Sequence, residues 1–373
     1  MNLDNLLRGL FEKNGSDLYL TADSPPLYRI DGVTEPALPH ACTAGEVETL
    51  IRDALTESEL REFERTHELN TARVVDGAGR FRLNVFRQRG AFGLVARLIR
   101  IDFPSAAELG LPEALTALVM QKRGLILVTG ATGSGKSTTL AALIDHRNRS
   151  TRGHILTIED PIEFVHAHRG CVVTQREVGV DTASFPAALK SALRQAPDVI
   201  LIGEMRDLET VESALHFSET GHLVLGTLHA NNANQAVERV LNFFPAEVHA
   251  QIFAQLALNL RGIVSQRLIP RADGTGRAAA IEVMINSPRV ADLIAKGDIA
   301  GLKPALDAGE KNGSRSFDQA LYELYRGGAI GLDEALRQAD SANNLRLKIK
   351  MEDAAGGGGE RRKFTLQQED RAA

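Results

Sequence analysis

The residues best suited to chemistry lie in the segment 125–140, which reads LILVTGATGSGKSTTL. Its first four residues predict a short buried strand, a glycine-rich loop follows, and the last residues predict the start of a helix. The spacing G-x-x-x-x-G-K-S aims consecutive backbone N–H groups at nucleotide phosphates, while Lys136 neutralises their charge and the Ser137 hydroxyl ligates Mg²⁺. The residues expected to bind the phosphates are Gly130, Ala131, Thr132, Gly133, Ser134, Gly135, Lys136, Ser137 and Thr138.

Two further segments place carboxylates where a predicted buried strand ends. The first, HILTIEDPIE at 154–163, ends on Glu163, and the second, DVILIGE at 198–204, ends on Glu204. In an open α/β sheet, ligands bind at the carboxyl ends of the strands, so either carboxylate can orient and deprotonate a water or hold Mg²⁺. For the first segment, an acidic loop that caps a helix is an equally good interpretation of these residues alone.

A third segment, GHLVLGTLHA at 221–230, carries a histidine at each end of a predicted strand, namely His222 and His229. A single histidine is more often a structural side chain than a ligand. His229, however, follows the carboxyl end of its strand, where it would sit beside the phosphate-binding loop. It is therefore a candidate to sense or bind the γ-phosphate.

Arginines occupy one face of a predicted strand pair in the first hundred residues. In the segment 80–87, RFRLNVFR, apolar residues alternate with polar ones, which leaves Arg82 on the polar face, and Arg97 lies on the next strand. These guanidinium groups either cover a solvated strand face or supplement the phosphate-binding loop by stabilising charge on the γ-phosphoryl group.

The composition excludes or disfavours several classes of protein. With 373 residues the chain has room for two domains, and its net charge of −5, four tyrosines and no tryptophan do not favour binding to nucleic acid. Cys42 and Cys171 are the only cysteines, which suits a reducing cytosol and excludes a four-cysteine zinc module. No apolar run approaches the roughly 20 residues of a membrane span, so we expect a cytoplasmic protein without direct membrane insertion.

The pattern along the chain predicts an α/β protein with five segments. Residues 1–100 predict a small α+β domain with an antiparallel sheet, and 101–111 a linker rich in turn residues. Residues 112–286 alternate strands with helices, which is typical of a mainly parallel sheet covered on both faces. Residues 287–351 predict a helical part, and the glycine-rich 352–373 a disordered tail.

Individual elements follow from periodicity and capping. Apolar spacing predicts a helix over 2–13, and two capping boxes, Thr43 with Glu46 and Thr56 with Glu59, predict two more. The expected strands of the larger sheet are 124–129, 154–158, 198–202 and 222–228, with 278–285 as a further candidate. The expected helices around it are 136–147, 186–195, 207–219 and 245–260.

Taken together, the four segments resemble the motifs of the secretion ATPase superfamily, most closely the type IV pilus retraction ATPases of the PilT/PilU kind. GATGSGKST resembles the Walker A motif, TIEDPIEF the Asp box, DVILIGEMRD the Walker B motif and TGHLVLGTLHA the His box. The resemblance runs over about residues 1–350. It implies a PAS-like N-terminal domain, a RecA-like P-loop ATPase domain with a helical C-terminal part, and ATP with Mg²⁺ as ligands.

The resemblance also implies roles for single residues. Glu163 would be the catalytic glutamate, and Glu204 the Walker B acid that holds Mg²⁺ together with Ser137. His229, together with His222, would contact the γ-phosphate. Arg82 and Arg97 would close on that phosphate from the N-terminal domain.

For function, the resemblance implies a homo-hexameric ring at the cytoplasmic base of the inner-membrane pilus machine. The ring would contact the pilus platform protein, and its ATP hydrolysis would drive pilus retraction. The segment 251–264, QIFAQLALNLRGIV, departs from the A-I-R-x-L motif of PilT-like members, and this departure and the closing ANNLRL at 342–347 resemble the accessory PilU branch. A PilT-type ATPase is then an expected partner. The alternatives are a type II secretion or pilus assembly ATPase, and a nucleotide-binding structural subunit of the motor.

Overall fold

The computed structural model describes residues 2–99, 102–309 and 312–355, and within them the chain forms two sheets. The first sheet has six antiparallel strands in the order β3-β2-β1-β6-β5-β4. Its elements are α1 (Leu3–Glu12), β1 (Asp17–Thr21), β2 (Leu27–Ile30), β3 (Val33–Pro36), α2 (Ala44–Ala54), α3 (Glu57–Thr66), β4 (Glu68–Val75), β5 (Gly79–Gln88) and β6 (Ala91–Ile99). The predicted antiparallel α+β arrangement of these residues is confirmed.

Local sequence signals account for this first unit. Both predicted capping boxes form, at the starts of α2 and α3. Along β5, the inward side chains Phe81, Leu83 and Val85 are fully buried, whereas Arg82 points to the other face and lies directly opposite Arg97 of β6. The period of two along the strand therefore places both arginines on one surface of the sheet.

The second sheet has seven strands in the order β13-β12-β7-β11-β10-β8-β9, all parallel to their neighbours except β13. Its elements are α4 (Glu113–Val119), β7 (Gly124–Thr129), α5 (Lys136–Ser150), β8 (Gly153–Glu159), β9 (Cys171–Glu177), α6 (Phe185–Ala192), β10 (Val199–Ile202), α7 (Leu208–Glu219), β11 (Leu223–Leu228), α8 (Ala233–Leu241), α9 (His249–Asn259), β12 (Leu260–Pro270) and β13 (Arg277–Ile285). Apolar clusters cover both faces of this sheet. The predicted α/β class is confirmed.

The sequence pattern missed four elements in and around this sheet, namely α4, β9, α8 and β12. β9 is an edge strand with four polar residues at its end, so its pattern is weak. β12 lies between β7 and β13 and is buried for most of its length, but polar residues and a glycine interrupt its sequence, LRGIVSQRLIP, so neither an apolar run nor a strict alternation marks it as a strand. The predicted helix over 245–260 is α9, which ends at Asn259, immediately before β12.

Five helices follow the second sheet: α10 (Pro288–Ala295), α11 (Leu302–Asp307), α12 (Phe317–Arg326), α13 (Leu332–Gln338) and α14 (Ala342–Ala355). A capping box of Ser316 with Gln319 starts α12, and α12 to α14 pack on the ends of β12 and β13. α14 runs to Ala355, so the first residues of the predicted tail are helical, while 356–373 lie outside the described residues.

An ion pair joins the two sheets. Arg80 of β5 donates to Glu177 at the end of β9 at 3.1 Å, and the Glu177 side chain is only 4% exposed. Within the described ranges, no helix combines the length and the apolar character that crossing a bilayer requires.

Candidate active site

The phosphate-binding loop connects β7, whose six residues are all buried, to the first turn of α5. Gly130 and Gly135 have φ angles of +149° and +89°, which side chains rarely adopt. A Cβ on Gly130 would lie 2.6 Å from the carbonyl oxygen of Gln266, and one on Gly135 would lie 2.8 Å from the Gln266 Nε2 atom. Gln266 of β12 also accepts a hydrogen bond from Thr139 of α5 at 2.8 Å, so this strand holds the loop and its helix together.

Two polar groups of the loop are suited to phosphate. The Lys136 ammonium donates to the carbonyl oxygens of Gly130 at 2.8 Å and Ala131 at 3.0 Å, and its burial lowers its pKa against the opposing effect of Glu204 and Glu163. The Ser134 hydroxyl is buried and has no hydrogen-bond partner among the described residues. A buried hydroxyl without a partner is costly, and a phosphate oxygen in the loop would satisfy it.

The loop faces a cleft of about 520 Å³ at the carboxyl edge of the parallel strands. Segments that follow β8, β10 and β11 form its other walls, because the carboxyl ends of parallel strands meet at one edge of a sheet. The predicted site residues that line the cleft are Thr132, Gly133, Gly135, Lys136, Ser137, Thr138, Glu163, Glu204 and His229. Residues of all four motifs are therefore brought to one place.

Glu204 is the most strongly paired carboxylate of the cleft. It accepts from Arg206 at 2.6 Å and lies 2.9 Å from Nε2 of His229. Burial raises its pKa, but Arg206 and His229 together outweigh burial and hold the pKa of Glu204 below its usual range. The group is thus ionised at neutral pH, as a metal-binding or charge-orienting carboxylate must be.

The Asp box contributes two carboxyls of different character. Glu159 at the end of β8 is half-buried, and this burial raises its pKa despite hydrogen bonds from Thr157 at 2.6 Å and Gln175 at 3.2 Å. Glu163 is exposed, and it lines both the nucleotide cleft and a neighbouring one. Glu163 can therefore meet groups that approach from either side.

Arg82 and Arg97 lie in that neighbouring cleft, which has a volume of about 700 Å³. Its walls are β5, β6 and the loop after β8, and Pro161, Glu163 and Phe164 belong to both clefts. Arg97 is held by Asp17 at 2.7 Å, a carboxylate that is 3% exposed. The two arginines therefore lie next to the nucleotide cleft and share Glu163 with it, but they do not line it.

His222 is not brought to the cleft. It precedes β11 and so lies at the amino edge of the sheet, where its carbonyl accepts from Gly124 at 3.0 Å and its Nδ1 lies 3.3 Å from the Phe217 carbonyl. His229 follows the other end of the strand, roughly 20 Å away at about 3.3 Å per residue. The structure separates the two histidines, and within one chain only His229 faces Glu204.

Sequence reasoning missed part of the cleft, namely Arg277 of β13 and Leu268 of β12, which line it beside the loop. An Nη1 atom of Arg277 lies 3.4 Å from the carbonyl oxygen of Gly133. No local motif marks these residues, because they follow the loop by more than a hundred positions and reach it only through the pairing of β12 with β7.

Comparison with known proteins shows the family of this chain. Residues 95–303 match the family described as Type II/IV secretion system protein. The chain is 51% identical over 351 residues to the type IV pilus ATPase PilU of Pseudomonas aeruginosa, covering 94% of this chain and 92% of that protein. It is 42% identical over 349 residues to PilT of the same organism, named as a type IV pilus retraction ATPase, covering 92% and 100%.

A solved structure extends the match to the whole fold. The crystal structure of the pilus retraction motor PilT with bound ADP superposes with a TM-score of 0.86 at 40% identity, covering 93% of this chain and 99% of that chain. The chain belongs to the PilT/PilU family of type IV pilus ATPases.

Proposed function

We propose that this protein is an ATP-hydrolysing motor that powers type IV pilus retraction, and hence twitching motility, as a PilU-like accessory to a PilT-type motor. The observation that carries the proposal is the convergence of Lys136, Ser137, Glu163, Glu204 and His229 on one cleft. Phosphoryl transfer needs positioning and charge stabilisation more than covalent chemistry from the protein, and these residue types supply both.

ATP binding would engage the loop first. The γ- and β-phosphates take the backbone N–H groups of the loop, and the Lys136 ammonium exchanges two carbonyl oxygens for phosphate oxygens. Ser137 and Glu204 would hold Mg²⁺, which when bound supplies positive charge that offsets the charge on the phosphates. One hydroxyl and one carboxylate fit this ion, which usually takes its remaining ligands from phosphates and water.

Hydrolysis would then rest on Glu163. This carboxylate is exposed to the cleft and orients the attacking water and takes its proton. His229 contacts the γ-phosphate and keeps its position through Glu204, 2.9 Å away. Glu204, already ionised, orients both His229 and Arg206 from one carboxylate.

Arg82 and Arg97 would complete the site by closure. They line the cleft next to Glu163, so a small rotation of the first sheet toward the Asp box brings guanidinium charge to the γ-phosphoryl group. Hydrolysis removes that charge and releases the contact. The angle between the two sheets then changes with each turnover, and this motion is the mechanical output.

The assembly we propose is a homo-hexamer at the cytoplasmic base of the inner-membrane pilus machine, in contact with a PilT-type ATPase and the pilus platform protein. The similarity to PilU supports the accessory role. So does the segment 251–264, which lies in α9 and the start of β12 and lacks the A-I-R-x-L pattern of PilT-like members.

The test is Mg²⁺-dependent ATP hydrolysis by the purified chain, alone and mixed with a PilT-type ATPase. Lys136→Ala serves as the blank, and Glu204→Gln keeps the shape of the side chain while removing its charge. We expect Glu204→Gln to bind ATP with near wild-type affinity and to lower kcat by at least about 10²-fold, as is typical when a positioned carboxylate is lost.

The two preparations separate the versions of the proposal. Turnover that rises when the PilT-type ATPase is added, and that falls again with Glu204→Gln, supports an accessory motor with its own catalytic cycle. Turnover equal in wild type and Glu204→Gln overturns the assignment of Glu204. No ATP hydrolysis by the wild type in either preparation overturns the motor itself.

A further inference from the structure

A single arginine connects the loop that carries His229 to the C-terminal helices. Arg267 lies in β12, two residues beyond Ser265, which pairs with the last residue of the P-loop strand. Its Nη2 donates to the carbonyl oxygen of Asn231 at 3.2 Å, and its Nη1 to that of Gln338 at 2.6 Å. Asn231 follows His229 by two residues, and Gln338 is the last residue of α13.

The guanidinium is fixed on its face as well as on its edge. Nη2 also contacts Asp340 at 2.8 Å, and the guanidinium carbon lies 3.8 Å from the centre of the Phe317 ring. Phe317 is fully buried at the start of α12. A guanidinium that stacks on a ring and donates hydrogen bonds from both Nη atoms has little conformational freedom, so the groups it binds keep a fixed separation.

The far end of the His229 loop is anchored independently. Asn232 caps α8 by accepting from Gln235 at 2.9 Å, and the Ala233 N–H donates to the buried carboxyl of Glu282 at 2.8 Å. Toward the C-terminal helices, Asn231 accepts from Arg267, and in the first turn of α8 Asn234 donates to the carbonyl oxygen of Ile299 at 3.0 Å. At its near end His229 meets Glu204 at 2.9 Å.

Asp340, which binds Arg267, also contacts two further C-terminal helices. Its carboxylate also receives Lys303 of α11 at 3.4 Å, and its N–H donates to Asp318 of α12 at 2.8 Å. Three C-terminal helices therefore meet at the group that holds Arg267. A displacement of those helices would reach the His229 loop through the Arg267 guanidinium.

We propose that Arg267 is a positioning residue for ATP hydrolysis, which fixes the His229 loop relative to Glu204 and makes turnover dependent on the placement of the C-terminal helices. The inference rests on the proposed function, because it assigns His229 to the hydrolytic step. It adds a route by which a partner that contacts those helices would change the rate of hydrolysis without reaching the nucleotide.

The experiment compares Arg267→Gln and Arg267→Lys with wild type in the full chain, and Arg271→Gln is the matched control. Arg271 lies just beyond the same strand and pairs with Asp273 at 3.5 Å. We expect both Arg267 variants to lower kcat by about 10- to 100-fold while KM for ATP stays within about twofold. Arg267→Lys does not restore kcat, because an ammonium cannot donate along the two directions of a guanidinium or stack on the Phe317 ring. Arg271→Gln leaves kcat unchanged.

A background of His229→Ala separates positioning from a general structural effect. If Arg267 acts through His229, adding Arg267→Gln to His229→Ala lowers kcat by less than about twofold more. An equal fold reduction in both backgrounds overturns the inference, as does a raised KM with unchanged kcat. Should Arg267→Gln fail to fold, Asp340→Asn gives the same comparison, because it weakens the same guanidinium from the helix side.

The wild-type rate distinguishes the two levels of the argument. An active wild type with unaltered Arg267 variants overturns the positioning role alone and leaves the proposed motor intact. A wild type that hydrolyses no ATP overturns the proposed function, and the positioning role with it.

Discussion

Glu282 of β13 makes the stability of this protein depend on pH in a direction that can be worked out from its surroundings. The side chain is 4% exposed and accepts hydrogen bonds from the Ala233 N–H at 2.8 Å and the Ser265 hydroxyl at 3.2 Å. Burial, with a contribution from Asp340, raises the pKa of Glu282 from 4.5 to about 7. The substitution Glu282→Gln keeps an accepting oxygen in place and removes the titration.

The sign follows from linkage. Because the folded state binds the proton more tightly than the unfolded state, the stabilisation is complete below the unfolded pKa and is lost as pH rises through the folded pKa. The full difference corresponds to about 3.4 kcal/mol at about 1.36 kcal/mol per pKa unit. Between about pH 5.5 and about pH 8, the same relation gives a loss of about 2 kcal/mol in wild type but not in Glu282→Gln.

The assay is thermal unfolding of both proteins across that pH range. At roughly 2–4 °C per kcal/mol for a unit of this size, the midpoint of wild type should fall by about 4–8 °C more than that of Glu282→Gln. The solvent-exposed Glu212 of α7 provides the control substitution Glu212→Gln, which should follow wild type. Parallel pH curves for wild type and Glu282→Gln would refute the reasoning, since the buried carboxyl would then not be the group that titrates.

Two further predictions concern the nucleotide cleft. Gly135→Ala should weaken nucleotide binding at least about tenfold, because a side chain at a φ of +89° costs about 1–2 kcal/mol and its Cβ meets Gln266. Equilibrium binding of a fluorescent ATP analogue measures this loss. The control is Gly45→Ala, since a Cβ at Gly45 meets no other atom within 4 Å. His229→Ala should lower kcat at least about tenfold and His222→Ala less than about twofold, measured by steady-state hydrolysis; comparable losses would contradict the separation of the two histidines.

The sequence pattern predicted the parts of the fold that neighbouring residues decide. The P-loop strand and the first residue of its helix lie where the motif places them, at Gly124–Thr129 and Lys136. The capping boxes at Thr43 and Thr56 form as expected, because a cap depends only on residues within three positions along the chain. The roles of the site residues stay predictions that the hydrolysis experiments test.

Local sequence patterns did not predict some features of the fold and of the cleft. β12 escaped prediction because polar residues interrupt its apolar positions, and no local pattern places Arg267, Gln266 or Leu268 near the cleft and the His229 loop. The motif places His222 and His229 at opposite ends of a predicted strand. The parallel pairing of β11 with β7 and β10 then puts only His229 at the edge of the sheet where the phosphate-binding loop lies.

The sequence by itself therefore determined which functional groups this protein has. They are a phosphate-binding loop, two acidic strand ends and a histidine, each set by residue type and short-range spacing. The tertiary structure decided which of these meet. Strand order brings Glu204 and His229 within 2.9 Å, and the pairing of β12 with β7 brings Arg267 beside the His229 loop. Such contacts depend on how distant segments pack around a shared core, and no spacing along the chain encodes that distance.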